Sequence, residues 1–358
     1  MTDRQVQLEG TGTPVFRRSI AKADGRMLHL YGRAPHDLPL QQQDSDPVAT
    51  GGELRHHPLR DEWNVYAAHR QNRTYKPAAS ADPLAPTLPD GLPTEIPFAD
   101  FELAVFDNKF AAFHSAAPDP SPLPGIGTKP ATGACEVVVY TPEAEGSLHT
   151  IGQDRRALLL SAWIDRTDVL FAAGCRCVLP FENRGEAVGT TLHHPHGQIY
   201  GFPHVPRVQQ RAADAFARGY DLSAEIEALL ADYGIAREGG VTAWCPRFAR
   251  FPYEVWIAPD IARAQLADCT AEERDGIAAL MGDVTRRYDA LFGQAMPAMM
   301  AVHTAPADHA APYHLTIQFY PLLRGPDRVK YLASVEQHAG IFTVDIMPET
   351  AAAALRAL

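Results

Sequence analysis

The segment Phe181-Glu182-Asn183-Arg184-Gly185 to Gly189-Thr190-Thr191-Leu192-His193-His194-Pro195-His196-Gly197-Gln198-Ile199-Tyr200 is the stretch from which the rest of the chain is read. His194, His196 and Gln198 recur with period two, so an extended strand turns two imidazoles and an amide toward one face. Pro195 removes a backbone donor and stiffens the chain, and Gly197 leaves room for a neighbouring backbone or for a phosphate. Just upstream, Asn183, Arg184, Thr190 and Thr191 add an amide, a guanidinium and two hydroxyls, all of which hydrogen-bond phosphate oxygens. An isolated H-x-H also fits core packing or metal binding. The whole string points to a strand that handles a phosphate.

Outward from that stretch, the composition narrows the class. The chain has 358 residues and a mass of 39.1 kDa, enough for a full core and about two domains. Hydrophobic residues make up 46% and charged residues 21%, as in an ordinary soluble globular protein. The net charge of -11 excludes broad nucleic-acid binding, which needs a basic face, so an anionic substrate must be met by local arginines. No apolar run approaches a membrane span, MTDRQVQLEG has no export signal, and five cysteines without a framework read as reduced thiols. The expected compartment is the cytoplasm.

Taken in order, residues 1–50 are polar with few periodic apolar positions and read as an irregular arm. Glu62 to Tyr66 alternates as a strand that leads into His69-Arg70-Gln71-Asn72-Arg73, whose two arginines suit either a solvated surface or a phosphate. Six prolines between Lys76 and Pro97 predict an irregular, extended loop, and a second such loop spans Pro118 to Pro130. Residues 152–174 carry the apolar spacing of an amphipathic helix. Cys175 and Cys177 read as packing residues.

The second half echoes the first. Glu136-Val137-Val138-Val139-Tyr140 returns as Glu254-Val255-Trp256-Ile257-Ala258, and Asp168-Val169-Leu170-Phe171 as Asp289-Ala290-Leu291-Phe292. His314 to Tyr320 then occupies the place of the His194 strand without its H-P-H chemistry. The expectation is an α+β fold of two tandem units, 1–215 and 216–358, joined by a helical segment at 211–235, with antiparallel sheets side by side and helices packed on one side.

The segments F-E-N-R-G, G-T-T and H-P-H-G-Q-I-Y resemble the active site of the galactose-1-phosphate uridylyltransferase family, the transferase branch of the histidine-triad superfamily. The resemblance implies His196 as nucleophile, with Gln198 and His194 beside it. It implies Arg70, Arg73, Asn108, Asn183, Gly189, Thr190 and Thr191 as nucleotide and phosphate contacts. Lys330, Tyr331 and Glu336 match the region that reads the hexose phosphate. The family commonly carries zinc, but Ala85, Leu88 and Ala144 stand at three ligand positions and only His194 remains. At the iron positions Ala212, Thr316 and Gln318 replace ligands and His303 alone is kept, so neither zinc nor iron is expected, although His303, His309 and His314 leave room for a different site. Apolar and proline packing is expected to anchor the loop instead.

The activity so implied is transfer of UMP between UDP-glucose or UDP-galactose and a hexose 1-phosphate through a uridylyl-histidine, in a homodimer. An imidazole titrating near pH ~6.5 is largely neutral at physiological pH and can attack phosphorus directly. Gln198, where hydrolases of the superfamily carry a third histidine, favours transfer over hydrolysis. The rival readings are a phosphorylase or adenylyltransferase of the same superfamily acting on an ADP-sugar or another nucleotide, and a histidine-rich metal-binding scaffold.

Overall fold

A computed structural model describes all residues except 1, 2, 11, 44–47, 49, 73–80 and 310. In the first half the strands are β1 (Asp3–Gln7), β2 (Phe16–Ala21), β3 (Met27–Gly32), β4 (Glu53–His57), β5 (Glu62–Tyr66), β6 (Leu103–Asp107), β7 (Thr128–Pro130), β8 (Ala134–Val139), β9 (Cys177–Arg184) and β10 (His196–Phe202). The second half supplies β11 (Gly234–Glu238), β12 (Val241–Trp244), β13 (Val255–Pro259), β14 (Ala298–His303) and β15 (Thr316–Pro321). Among the described residues these form one twelve-stranded sheet, ordered β1-β2-β3-β6-β8-β10-β9-β14-β15-β13-β12-β11, with β5-β4-β7 as a separate small sheet.

The repetition in the sequence is the symmetry of this sheet. Outward from the seam where Phe181 faces Ala301 and Arg184 faces Ala298, one side runs β9-β10-β8-β6 and the other β14-β15-β13-β12. The two halves therefore share one antiparallel sheet. The connecting segment forms α2 (Arg207–Ala217) and α3 (Leu222–Tyr233), so the expected division at 215/216 falls inside α2.

Two long helices, α1 (Gln153–Ala172) and α4 (Ala271–Leu291), cover one face. The start of α4 is a capping box, with Thr270 Oγ1 accepting from Glu273 N at 3.1 Å and Glu273 Oε2 accepting from Thr270 N at 2.7 Å. Leu159 and Trp163 of α1 are buried with Ile277 and Met281 of α4 over Val138, Ile199, Ile257 and Ile317 of the sheet. Arg156 of α1 lies over Gly282 of α4, where a Cβ would fall 2.4 Å from the guanidinium carbon. That glycine is what lets a charged side chain cross between the helices. Arg166 of α1 meets Glu136 of β8 at 2.6 Å in a fully buried ion pair, which fixes α1 against the central strands. α5 (Pro348–Arg356) closes the far end against α3 and β11.

The amino-terminal residues correct the sequence reading. They are no irregular arm: β1, β2 and β3 extend the main sheet, with β3 pairing to β6. The apolar signal is weak because β1 is the edge strand, where charges are tolerated, and β2 beside it is mostly only half-buried. Arg17 of β2 is taken up by Asp165 of α1 at 2.7 Å, and Arg18 by Asp3 of β1 at 2.8 Å.

The sheet face away from α1 carries the described part of the first proline-rich loop. Leu84, Ile96, Phe98 and Phe101 are buried against Leu28, Leu30, Phe106 and Val139, a second core that fastens the loop by apolar packing as expected. Residues 76–80 of that loop lie outside the described residues.

Candidate active site

The catalytic-strand candidate β10 begins at His196, and its burial alternates. His196, Gln198 and Tyr200 are half-buried on the loop-covered face, whereas Gly197, Ile199 and Gly201 are buried toward α1. Gly197 thus makes room for the protein itself: a Cβ there would sit 2.2 Å from the Tyr140 hydroxyl and 2.8 Å from the Phe181 carbonyl. It does not face a phosphate, because odd and even positions of a strand point to opposite faces.

His196 sits where two small cavities meet. One, of about 150 Å³, is lined by Arg70, Phe106, Asn108, Val137, Thr191 and Gln198 together with His196. The other, of about 80 Å³, is lined by Ser147, Glu182, Asn183, Thr190 and His194, again with His196. His196 Nδ1 lies 2.8 Å from the carbonyl of His194. A carbonyl only accepts, so Nδ1 carries the proton and Nε2 keeps the lone pair. This is the backbone-held tautomer that attack on phosphorus needs. Burial lowers the His196 pKa below its ordinary value and the nearby His194 ring adds to this, while the hydrogen bond to the His194 carbonyl and the Asp82 charge oppose it.

The remaining predicted residues fall into distinct groups. Arg70 reaches the larger cavity from a single 3-10 turn, Ala68–Asn72, rather than from the end of β5, and its Nη1 donates to Phe110 O at 2.7 Å. Arg73 lies outside the described residues. Asn108 Oδ1 accepts from Phe110 N at 2.8 Å, and Thr190 Oγ1 donates to Asn183 O at 2.8 Å. Gly189, at φ 80°, ends the short turn Glu186–Val188 in the left-handed region and borders neither cavity. Arg184 borders the smaller cavity and pairs with Asp289 of α4 at 2.7 Å.

Lys330, Tyr331 and Glu336 line neither cavity. They follow β16 (Leu323–Gly325) and β17 (Arg328–Val329), where Lys330 Nζ meets Glu336 Oε1 at 2.6 Å and Thr343 Oγ1 at 3.2 Å. The Glu336 carboxyl is held down to about 2 by the hydrogen bond from Lys330 and that from Thr343. Tyr331 is exposed.

His194 departs from the row read in the sequence. It precedes β10, and its ring is buried between Asp82 and the Thr141 carbonyl rather than facing out with His196 and Gln198. Asp82 was missed: the only sequence signal was its place before Pro83 in the first proline-rich loop.

The donors present do not fit the family's metals. Around His194, Ala85 and Ala144 carry no ligand atom and Leu88 is exposed. In the second half, Ala212, His303, Thr316 and Gln318 do converge, on a cavity of about 310 Å³, but they bring one imidazole. His314 Nε2 is bound to Pro259 O at 2.7 Å, as His194 Nε2 is to Thr141 O at 2.7 Å. Burial pushes His303 down to about 4, and His309 Nε2 is buried without a hydrogen-bond partner among the described residues. Among the described residues no group of three or more His, Cys, Asp or Glu could hold a metal ion.

An α+β sheet duplicated about a seam, with a histidine of fixed tautomer at the junction of two cavities, is the setting of a nucleotidyltransferase. Residues 42–206 and 236–358 match the N-terminal and C-terminal domains of galactose-1-phosphate uridyl transferase. The chain belongs to the galactose-1-phosphate uridylyltransferase family. It is 34% identical over 319 residues to the galactose-1-phosphate uridylyltransferase of Thermotoga maritima, covering 85% of this chain and 98% of that one. A solved uridylyltransferase superposes with TM-score 0.74 at 26% identity, over 85% of this chain and 97% of that chain. An ADP-glucose phosphorylase from Arabidopsis thaliana, at 18% identity and TM-score 0.64 over 86% of this chain and 99% of that chain, shares the fold alone. Among the described residues no helix is long and apolar enough to cross a membrane.

Proposed function

We propose that the chain is a UDP-glucose–hexose-1-phosphate uridylyltransferase in which His196 Nε2 attacks the α-phosphorus of UDP-glucose. The P–O bond to the leaving phosphate breaks, glucose 1-phosphate departs with the electron pair, and UMP remains on Nε2 as a phosphoramidate. A phosphate oxygen of galactose 1-phosphate then attacks the same phosphorus, the P–N bond breaks, and UDP-galactose leaves. No proton has to move in either step, because Nδ1 keeps its own against the His194 carbonyl. The observation that carries this reading is that fixed tautomer at the junction of two cavities.

In the larger cavity Arg70, Gln198 and Thr191 would stabilise charge on the α-phosphate, and Phe106 and Val137 give an apolar wall beside Asn108 that suits a nucleoside. Asn183 and Thr190 border the other side. The division into halves 1–215 and 216–358 belongs to the same reading, as do a homodimeric state, a cytoplasmic location and a hexose-phosphate role for Lys330, Tyr331 and Glu336. All five cysteines are buried free thiols, in keeping with that compartment.

Incubation with UDP-glucose alone should release glucose 1-phosphate and leave the protein heavier by one uridylyl group, in a linkage labile to acid and stable to base. Galactose 1-phosphate should discharge it as UDP-galactose with ping-pong kinetics. His196→Asn should keep the fold and lose both half-reactions. Absence of an adduct at low acceptor concentration, with kinetics that require both substrates bound together, would replace the covalent route by direct transfer.

A further inference from the structure

Asp82 Oδ2 lies 2.6 Å from His194 Nδ1, while Asp82 Oδ1 accepts the backbone N–H of Leu84 at 3.0 Å. The other ring nitrogen, Nε2, lies 2.7 Å from the Thr141 carbonyl. The His194 side chain is fully buried and has a partner at each ring nitrogen, the Asp82 carboxylate and the Thr141 carbonyl. His194 is thereby gripped at both ends of its ring. Its own carbonyl, two residues before the strand position it governs, takes the Nδ1 proton of His196 at 2.8 Å. With Pro195 restricting the one residue between them, where the His194 ring is held decides where that carbonyl points, and the carbonyl sets the orientation and tautomer of His196.

A metal ion cannot make this connection here. Zinc wants about four ligands, and the positions around His194 supply one imidazole and one carboxylate. Asp82 also belongs to the loop whose Leu84 and Ile96 are buried against the sheet, so the carboxylate joins the loop to the His194 ring by a hydrogen bond where the family commonly uses a metal bond.

We infer that Asp82 is a positioning residue for His196, acting through the buried His194 ring and taking the place of the metal. The inference rests on the reading of His196 as nucleophile, and the experiment separates the two. Wild-type, Asp82→Asn and Asp82→Ala proteins, purified without added metal, are compared in a single turnover with UDP-glucose alone, following adduct mass against time. UDP-glucose affinity and thermal melting are measured in parallel. In the Asn variant the Leu84 cap persists and only the carboxylate charge facing the His194 ring is lost.

Both variants should form the adduct roughly ten- to a hundredfold more slowly, as when the outer partner of an oriented imidazole is removed. UDP-glucose affinity should stay within about threefold, and Asp82→Asn should melt close to wild type. The far-downfield proton signal expected of a short carboxylate–imidazole hydrogen bond in the resting wild-type protein should vanish in both variants. Wild-type adduct formation with unchanged rates in both variants would overturn the role of Asp82, as would a loss confined to substrate affinity. A stoichiometric zinc whose removal abolishes the rate would also overturn it. Failure of the wild type to form any adduct would instead overturn His196 as nucleophile, while the proton signal would still report on the Asp82 contact.

Discussion

Glu182 gives a prediction whose size follows from its surroundings. It lies in β9, buried beside Tyr140 on the underside of Gly197, and its Oε2 has no hydrogen-bond partner among the described residues. Burial raises its pKa from 4.5 to about 7, against the opposing pull of Arg184 and of Tyr140. The sign follows from proton counting. Below pH 4.5 both folded and unfolded chains hold the proton. Between 4.5 and about 7 only the folded chain holds it, so stability falls as pH rises through that window and levels off above it. At 1.36 kcal/mol per pH unit the loss is about 3 kcal/mol, roughly 3 to 6 °C in melting temperature for a chain of this size. Glu182→Gln removes the titration while keeping the shape. Chemical denaturation at about pH 4.5 and pH 8 should show the variant gaining about 3 kcal/mol on wild type between the two. Stability curves that stay parallel across the window would refute the assignment of Glu182 as a neutral buried acid.

Gly197→Ala places a methyl group 2.2 Å from the Tyr140 hydroxyl and 2.8 Å from the Phe181 carbonyl, so it should cost about 1 to 3 kcal/mol and slow uridylylation by shifting β10 from β9; unchanged melting and rate would count against the stated packing. Arg70→Ala removes a cation from the larger cavity and should lower kcat/KM for UDP-glucose roughly ten- to a hundredfold, the worth of one charge-assisted hydrogen bond of about 1.5 to 3 kcal/mol. Unaltered kinetics would return Arg70 to a structural role on Phe110. Because burial lowers the His196 pKa, the rate of adduct formation should hold steady as pH falls to about 6.5 and decline only below it, as the ring protonates and loses its lone pair. An acid limb with its midpoint above that value would contradict this.

Local chemistry was legible wherever one short segment carried it. The period-two row of His196 and Gln198, the helical spacing realised as α1, and the repeated strand and helix ends that became a duplicated sheet could all be read from residues close together in the chain. The sequence left β1 and β2 unrecognised because an edge strand and its half-buried neighbour carry little apolar signal, and Arg17 and Arg18 of β2 are answered by Asp165 and Asp3, residues chosen by packing. It set His194 in line with His196, although residues before a strand are not bound by its alternation and the ring turned instead to Asp82, 112 positions away. Lys330 and Glu336 matched a motif as ligands, and tertiary packing joined them to each other. The sequence by itself determined which reactive groups lie together along the chain and how neighbours along a strand face. Only the tertiary structure decided which distant charge answers a buried one, because the cost of burying a charge depends on what the folded chain brings within about 3 Å of it.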